Sequence, residues 1–266
     1  MFTCKEYKKA ESLEEAWTLN QKRGNLLIGG MLWVKMGQRR VQTVIDLSGL
    51  GLNEIEEDDE EFRIGCMTTL RQMETHEGLL AYTNGAVRES LRHIVGVQFR
   101  NVATVGGSIF GRFGFSDVLT MLLAMDSFVE LYKGGVLPMA EFVNRRRDRD
   151  ILVRIIIKKT AGRFAYQSVR GAKTDFPTLA VAAARMNGTV RLSIGARPAR
   201  AMLLTLEDPS AKAGTDLQER PLSEEEAGRF AGYAWEQVPV GSNLRGSAEY
   251  RRELVKVLVK RACLSL

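Results

Sequence analysis

Apolar residues in this chain of 266 come in short runs, and the runs alternate with helical segments in no regular order. NLLI, TVIDL, SFVEL, ILVRIII, RFAYQSV, GTVRLSIGA and AMLLTL each have the length and residue types of a strand. None approaches the roughly eighteen apolar residues that a membrane-spanning helix needs. A regular βαβ array would show strands and helices in strict succession. The irregular order here predicts the α+β class with mixed sheets.

The helical segments carry their own start signals. Ser12 and Glu15 form an S-x-x-E capping box ahead of Leu13, Ala16, Trp17 and Leu19, and Gly24 stops that helix. NLLIGG and TVIDL follow as a parallel pair, with a helical turn or two in MLWVKMG between them. The acidic tract NEIEEDDEEF lacks the spacing of an EF-hand loop and reads as a solvated hairpin tip. FRIGCMTTLRQM predicts a strand and then a helix capped by Thr68 or Thr69, with a longer amphipathic helix over 79–94. Ser116 caps the apolar helix DVLTMLLAMD. TDFPTLAVAAARM predicts a helix with Pro177 in its first turn, and two helices, 223–235 and 247–263, finish the chain.

Composition removes several chemistries. Cys4, Cys66 and Cys263 are far apart and odd in number, and His76 and His93 are the only histidines. A disulfide framework, a zinc site and an iron–sulfur cluster held by this chain alone are therefore not expected. The N-terminus lacks the apolar stretch of a secretion signal, so the expected location is cytoplasmic, with no membrane partner. The net charge is +6, and part of it lies in RRRDRD at 145–150. Acids interrupt those arginines and no nucleic-acid motif accompanies them, so the run reads as a solvated turn. Trp17, Trp33 and Trp235 read as core or interface packing, His93 as a capping or surface residue, and Tyr166 and Arg170 as internal packing and capping.

Two glycine pairs remain, Gly29-Gly30 and Gly106-Gly107, each after a short apolar segment ending in Ile28 or Val105. Neither belongs to a P-loop or a G-x-G-x-x-G fingerprint. A pair at a strand end serves as a plain turn, or it frees successive N–H groups to cradle an anion. Two such loops brought together can hold a diphosphate from both sides. Asp117 has the same two readings. It is a helix-dipole acid behind Ser116, or the acceptor for a ribityl or ribose hydroxyl.

LLIGGMLWVKMG…VQTVIDLSGL resembles the first flavin loop of the molybdenum hydroxylase flavoproteins, the family of the xanthine dehydrogenase FAD subunit and the carbon monoxide dehydrogenase medium subunit. FRNVATVGGSIFGRFGFSDVLTMLLAMDSFVEL resembles its second loop, commonly written R-N-x-A-T-I-G-G-N-I before a Ser/Pro-rich turn and S-D. DILVRIIIKK is similar to the strand entering the linker. AYQSVRGAKTDFPTLAVAA and GSNLRGSAEYRRELVKVLVKRA resemble the C-terminal domain. The resemblance implies a two-lobed FAD-binding domain over 1–158, with lobes of about 1–50 and 51–158. A smaller C-terminal α+β domain over 159–266 follows, an antiparallel sheet packed with helices. It implies cofactor contacts at Leu27, Ile28, Gly29, Gly30, Met31 and Leu32, at Thr104, Gly106, Gly107 and Ser108, and at Asp117. Leu152 would lie against the isoalloxazine, and a flavin contact is the other reading of His93. The chain departs from the family pattern in places. Met31 and Leu32 stand where Thr or His, often then Asp or Ser, are usual, Ser108 stands for an Asn, Gln167 for a Lys, and 111–114 replaces an A-S-P turn. In that turn Arg112 either meets the phosphates or faces solvent.

The implied activity is that of an FAD-binding electron-transfer subunit of a multisubunit molybdenum-dependent hydroxylase or dehydrogenase, active only in complex. The implied partners are a large molybdopterin subunit, a small [2Fe–2S] subunit, and an acceptor such as NAD. Purines such as xanthine are the commonest substrate class implied. No side chain of this chain is expected to be catalytic. The rival reading is a non-catalytic assembly subunit that keeps the fold and has lost FAD.

Overall fold

A computed structural model describes residues 1–209 and 220–266. In chain order, β1 (Thr3–Lys9) and α1 (Leu13–Asn20) precede β2 (Leu26–Ile28), β3 (Arg40–Asp46), β4 (Ile55–Glu57) and β5 (Glu61–Gly65). Short helices follow: α2 (Leu70–Thr75), α3 (Glu77–Tyr82), α4 (Ala86–Leu91), α5 (Val97–Arg100), α6 (Val105–Phe110) and α7 (Asp117–Ala124). Then come β6 (Ser127–Leu131), β7 (Gly135–Pro138), α8 (Met139–Asn144) and β8 (Leu152–Lys158). The last part holds β9 (Gly162–Arg170), β10 (Pro177–Met186), β11 (Thr189–Gly195) and β12 (Met202–Glu207), then α9 (Glu224–Gln237) and α10 (Ala248–Leu264). Among the described residues no helix is long and apolar enough to cross a membrane.

The chain forms two compact units that interleave in sequence. The first comprises Met1–Met73, Val97–Gly111 and Ser127–Lys158; the second comprises Glu74–Gly96, Arg112–Asp126 and Lys159–Leu266. The fold is α+β, and its parallel and antiparallel pairings are segregated into separate sheets. In the first unit β1-β3-β2 is a three-stranded parallel sheet, and β4-β5-β8-β6-β7 is a five-stranded antiparallel one. The second unit holds the four-stranded antiparallel sheet β12-β11-β10-β9.

Most local signals act where they stand. Ser12, Ser116, Ser223 and Ser247 each accept an N–H of the first turn of α1, α7, α9 and α10. The α9 box is reciprocal, with Glu226 accepting from the Ser223 N–H. In α1 the returning carboxylate of Glu15 takes the Glu11 N–H instead, and the helix ends at Asn20, ahead of Gly24. Thr69 caps the start of α2 through the Gln72 N–H. The acidic tract is a hairpin tip, where Asp58 Oδ1 accepts from the N–H groups of Glu60 and Glu61.

Three expectations are corrected. The helix expected over 79–94 is two helices, because Asn84 and Gly85 both take left-handed backbone angles (φ 46° and 80°) between α3 and α4. The segment TDFPTLAVAAARM is not a helix. Its residues from Pro177 on are β10, paired on both sides and buried along its whole length. Pro177 fits as the first strand residue, where no ladder N–H is needed. Leu179, Val181 and Ala183 join the core made with α9 and α10. Gly195, directly opposite Ala180, lies so close to α7 that a Cβ would fall 2.0 Å from Thr120 Oγ1. Alternation therefore turns Ala180, Ala182 and Ala184 toward α7. Helices cover both faces, small side chains let them approach, and packing overrides alanine's helix propensity. The third correction is α6: Gly106 and Gly107 lie in the first turn of a helix rather than at a strand end. The strand β1, unforeseen, is mostly exposed and charged; parallel pairing to β3 and a Tyr7–Asp46 hydrogen bond of 2.5 Å hold it.

Candidate functional site

Both glycine pairs fall in the first unit, and the fold brings them together there. A Cβ on Gly30 would lie 1.9 Å from the Val102 carbonyl oxygen, and one on Gly29 would lie 2.3 Å from Thr104 Oγ1. The two loops meet backbone to backbone at a distance that only glycine permits. Beside this contact, Trp33 meets Phe99 edge to face, with ring centroids 6.1 Å apart.

The first loop has the geometry of an anion cradle. β2 ends at Ile28, paired in register with Asp46, and the chain turns at Gly29-Gly30. Met31 takes φ 58°, rare for a side chain of its kind, and its carbonyl accepts the Lys35 N–H at 2.9 Å. Among the described residues no group accepts from the N–H groups of Gly30, Met31 and Leu32. A left-handed residue within such a run turns successive N–H groups to one side, the arrangement of an anion-binding nest. The side chains of Met31 and Leu32 bring no hydroxyl, so recognition here rests on the main chain.

The second loop is built differently, which corrects the expectation of freed N–H groups there. The N–H of Val105 goes to Thr68 O, that of Gly106 to Cys66 O, that of Gly107 to Thr104 Oγ1, and that of Ser108 to Thr104 O. The Ser108 hydroxyl also donates to Thr104 O, at 3.1 Å. The two glycines differ in what they permit. A Cβ on Gly106 would strike Cys66 O at 2.6 Å, whereas one on Gly107 would meet only Thr104 Oγ1, at 3.1 Å. Gly107 is exposed, so it offers an open, side-chain-free surface. Cys66 also donates its N–H to Val153 O, which ties this loop to the start of β8. Leu152 stands there, 5 % exposed and packed into the first unit. Leu27 and Ile28 are part of β2, partly and fully buried.

Asp117 belongs to the second unit, as the first residue of α7. It is buried, and its Oδ1 accepts from the Tyr166 hydroxyl and from the Arg170 guanidinium, the latter at 2.5 Å. Burial pushes its carboxyl pKa up; the guanidinium and the hydroxyl oppose that shift without overcoming it. Arg170 also donates to Asp175 O and Ser168 Oγ. Tyr166 and Arg170 thus act as the internal packing expected of them, and Asp117 is their partner. Arg112 is 5 % exposed, with φ 45°, which removes the solvent-facing alternative. His93 accepts from Arg92 Nε, and burial followed by the Arg92 charge lowers its pKa.

Comparison with known proteins decides the family. The family described as the FAD binding domain in molybdopterin dehydrogenase matches residues 2–160, and the CO dehydrogenase flavoprotein C-terminal domain matches 164–266. The chain belongs to this flavoprotein family. Its cofactor is FAD, and it is a flavoprotein oxidoreductase subunit that works in complex. The glyceraldehyde dehydrogenase medium chain of Sulfolobus acidocaldarius is 25 % identical over 285 residues, spanning 96 % of each chain. YgfM, an uncharacterized protein of Escherichia coli K12, is 27 % identical over 220 residues, covering 81 % of this chain and 76 % of YgfM. A crystal structure of the cyanide-inactivated Cu,Mo-CO dehydrogenase superposes with a TM-score of 0.84 at 21 % identity, covering 100 % of this chain and 98 % of that one. At that identity the likeness speaks to the fold.

Proposed function

We propose that this chain carries FAD as the electron-transfer subunit of a molybdenum-dependent hydroxylase or dehydrogenase of the carbon monoxide and xanthine dehydrogenase type. In this reading the domains divide at about residue 158. The partners are a molybdopterin subunit and a [2Fe–2S] subunit, and NAD is the acceptor. The family match over both domains supports the class. The observation that carries the site is the first loop, where the N–H groups of Gly30, Met31 and Leu32 have no acceptor among the described residues, and which meets the second loop at Thr104, whose Oγ1 lies near the Cβ positions of both Gly29 and Gly107. The unpaired N–H groups hold the diphosphate, and Gly107 leaves room for it. Thr104 fixes α6 by capping it, and Gly29, Gly30 and Gly106 keep the loops in contact. FAD, when bound, takes electrons singly and gives them up in pairs. The chain's residues supply position and electrostatics only, and none is assigned a proton transfer.

The test uses the purified full chain. Denaturation should release one FAD per chain, and NADH added anaerobically to the holoprotein should bleach the flavin absorbance. A chain that neither releases nor takes up FAD is the assembly subunit of the rival reading. A flavin that NADH leaves oxidised, yet dithionite reduces, has an acceptor other than NAD.

A further inference from the structure

The run RRRDRD does more than form a solvated turn. In the first unit the Arg147 guanidinium donates to the Gly111 carbonyl at the C-terminus of α6. Arg149 Nη1 donates to the Asn20 carbonyl at the C-terminus of α1, at 2.6 Å. Cations there satisfy carbonyls that have no helical partner and oppose the negative end of the helix dipole. The side chains of Asn20 and Gln21 return hydrogen bonds to Arg149 O, at 2.8 and 3.1 Å. The turn at 144–150 and the turn at 20–25 are thus fastened together.

The joined turns carry six cations, Lys22, Arg23, Arg145, Arg146, Arg147 and Arg149, against two carboxylates, Asp148 and Asp150. Both carboxylates have partners within the first unit. Asp148 pairs with Arg145 at 3.2 Å and accepts the Asp150 N–H, while Asp150 accepts from the N–H groups of Lys133, Gly134 and Ile151. Arg147 and Arg149 donate to carbonyls, which leaves their charge uncancelled. Lys22, Arg23 and Arg146 are exposed, and among the described residues no carboxylate pairs with them. Asp150 is partly buried and Asp148 is exposed beside Arg145, while Lys22, Arg23 and Arg146 are exposed without an acid, so cations outnumber acids on this face.

We propose that these joined turns are a docking face for the acidic surface of a protein partner. Such a patch raises the encounter rate of a negatively charged protein and selects its orientation. A single strand of nucleic acid would need aromatic faces for its bases. The nearest aromatic on α1, Trp17, already has Lys133 over its ring at 5.1 Å. The proposal stands apart from the flavin assignment, since none of its residues is part of the glycine loops.

The test is binding of labelled poly-L-glutamate to the full chain at about 0.05 M salt, where surface charges are weakly screened. A triple variant, Lys22→Glu, Arg23→Glu and Arg146→Glu, changes three exposed side chains that hold nothing in place. A second triple, Lys173→Glu, Lys256→Glu and Arg261→Glu, makes the same charge change in the second unit. Melting temperatures confirm that both remain folded. The first triple should bind at least about tenfold more weakly than the unmodified chain, and the second within about twofold of it. Equal losses in the two triples would mean that net charge alone attracts the polymer, and the proposal fails. It fails equally if an oligothymidylate of the same charge binds the unmodified chain more tightly and that binding is what the first triple loses.

Discussion

At the scale of single residues the four loop glycines separate into two kinds. Gly29, Gly30 and Gly106 are required by the protein itself, since a Cβ at each would strike a neighbour at 2.3, 1.9 or 2.6 Å. A Cβ on Gly107 would meet only Thr104 Oγ1, at 3.1 Å, so the fold asks less of this position, and it is the one whose missing side chain the proposed FAD site uses. Gly107→Val should therefore leave folding almost unchanged, because valine costs no more than glycine inside a helix. It should weaken FAD binding by at least about tenfold, since a branched side chain occupies the surface set aside for the ligand. Gly228→Val in α9, where nothing lies within 4 Å of a Cβ, is the matched control and should keep full affinity. Gly135 serves poorly as a control, because its φ of 66° would strain a valine. Flavin titration of the folded variants decides. Wild-type affinity in Gly107→Val removes the diphosphate from this loop.

At the scale of elements, β10 shows how local preference yields to packing. Ala182 is fully buried on the face turned toward α7. Ala182→Leu should destabilise the fold by about 2 kcal/mol or more through overpacking, read as a lower urea midpoint with an unchanged slope. On a helix surface the same change would cost almost nothing. The sequence carries its helix caps openly, since Ser12, Thr69, Ser116, Ser223 and Ser247 each act on the residue three places on. The alanines of β10 announce nothing of the kind, because what decides them lies on α7 and α10, far along the chain. The charged strand β1 was hidden for the same reason, its partner being β3. At the site, the first loop was legible because glycine and backbone geometry are local. The second was not, because Thr68 and Cys66, which engage its N–H groups, come from a separate segment.

At the scale of the whole molecule, the second unit is not a contiguous stretch. Its sheet is covered on one face by α9 and α10 and on the other by α7, which lies in Arg112–Asp126. A fragment of residues 159–266 alone lacks α7 and bares the face of Ala180, Ala182, Ala184 and Gly195. It should bind the dye ANS and lose near-ultraviolet circular dichroism while keeping strand content. A fragment with a sharp cooperative melt and no dye binding would show that α7 is dispensable. The interleaving also reaches into synthesis. The chain passes between units at 73/74, 96/97, 111/112, 126/127 and 158/159. β5, the second strand of the five-stranded sheet, pairs with the central β8, whose residues leave the ribosome about 90 positions later. At translation rates of about 5–20 residues per second, that strand edge waits roughly 5–20 s without its partner. Neither unit can finish while the chain is still growing through the other, so this fold places its demand on whatever shields a nascent polypeptide.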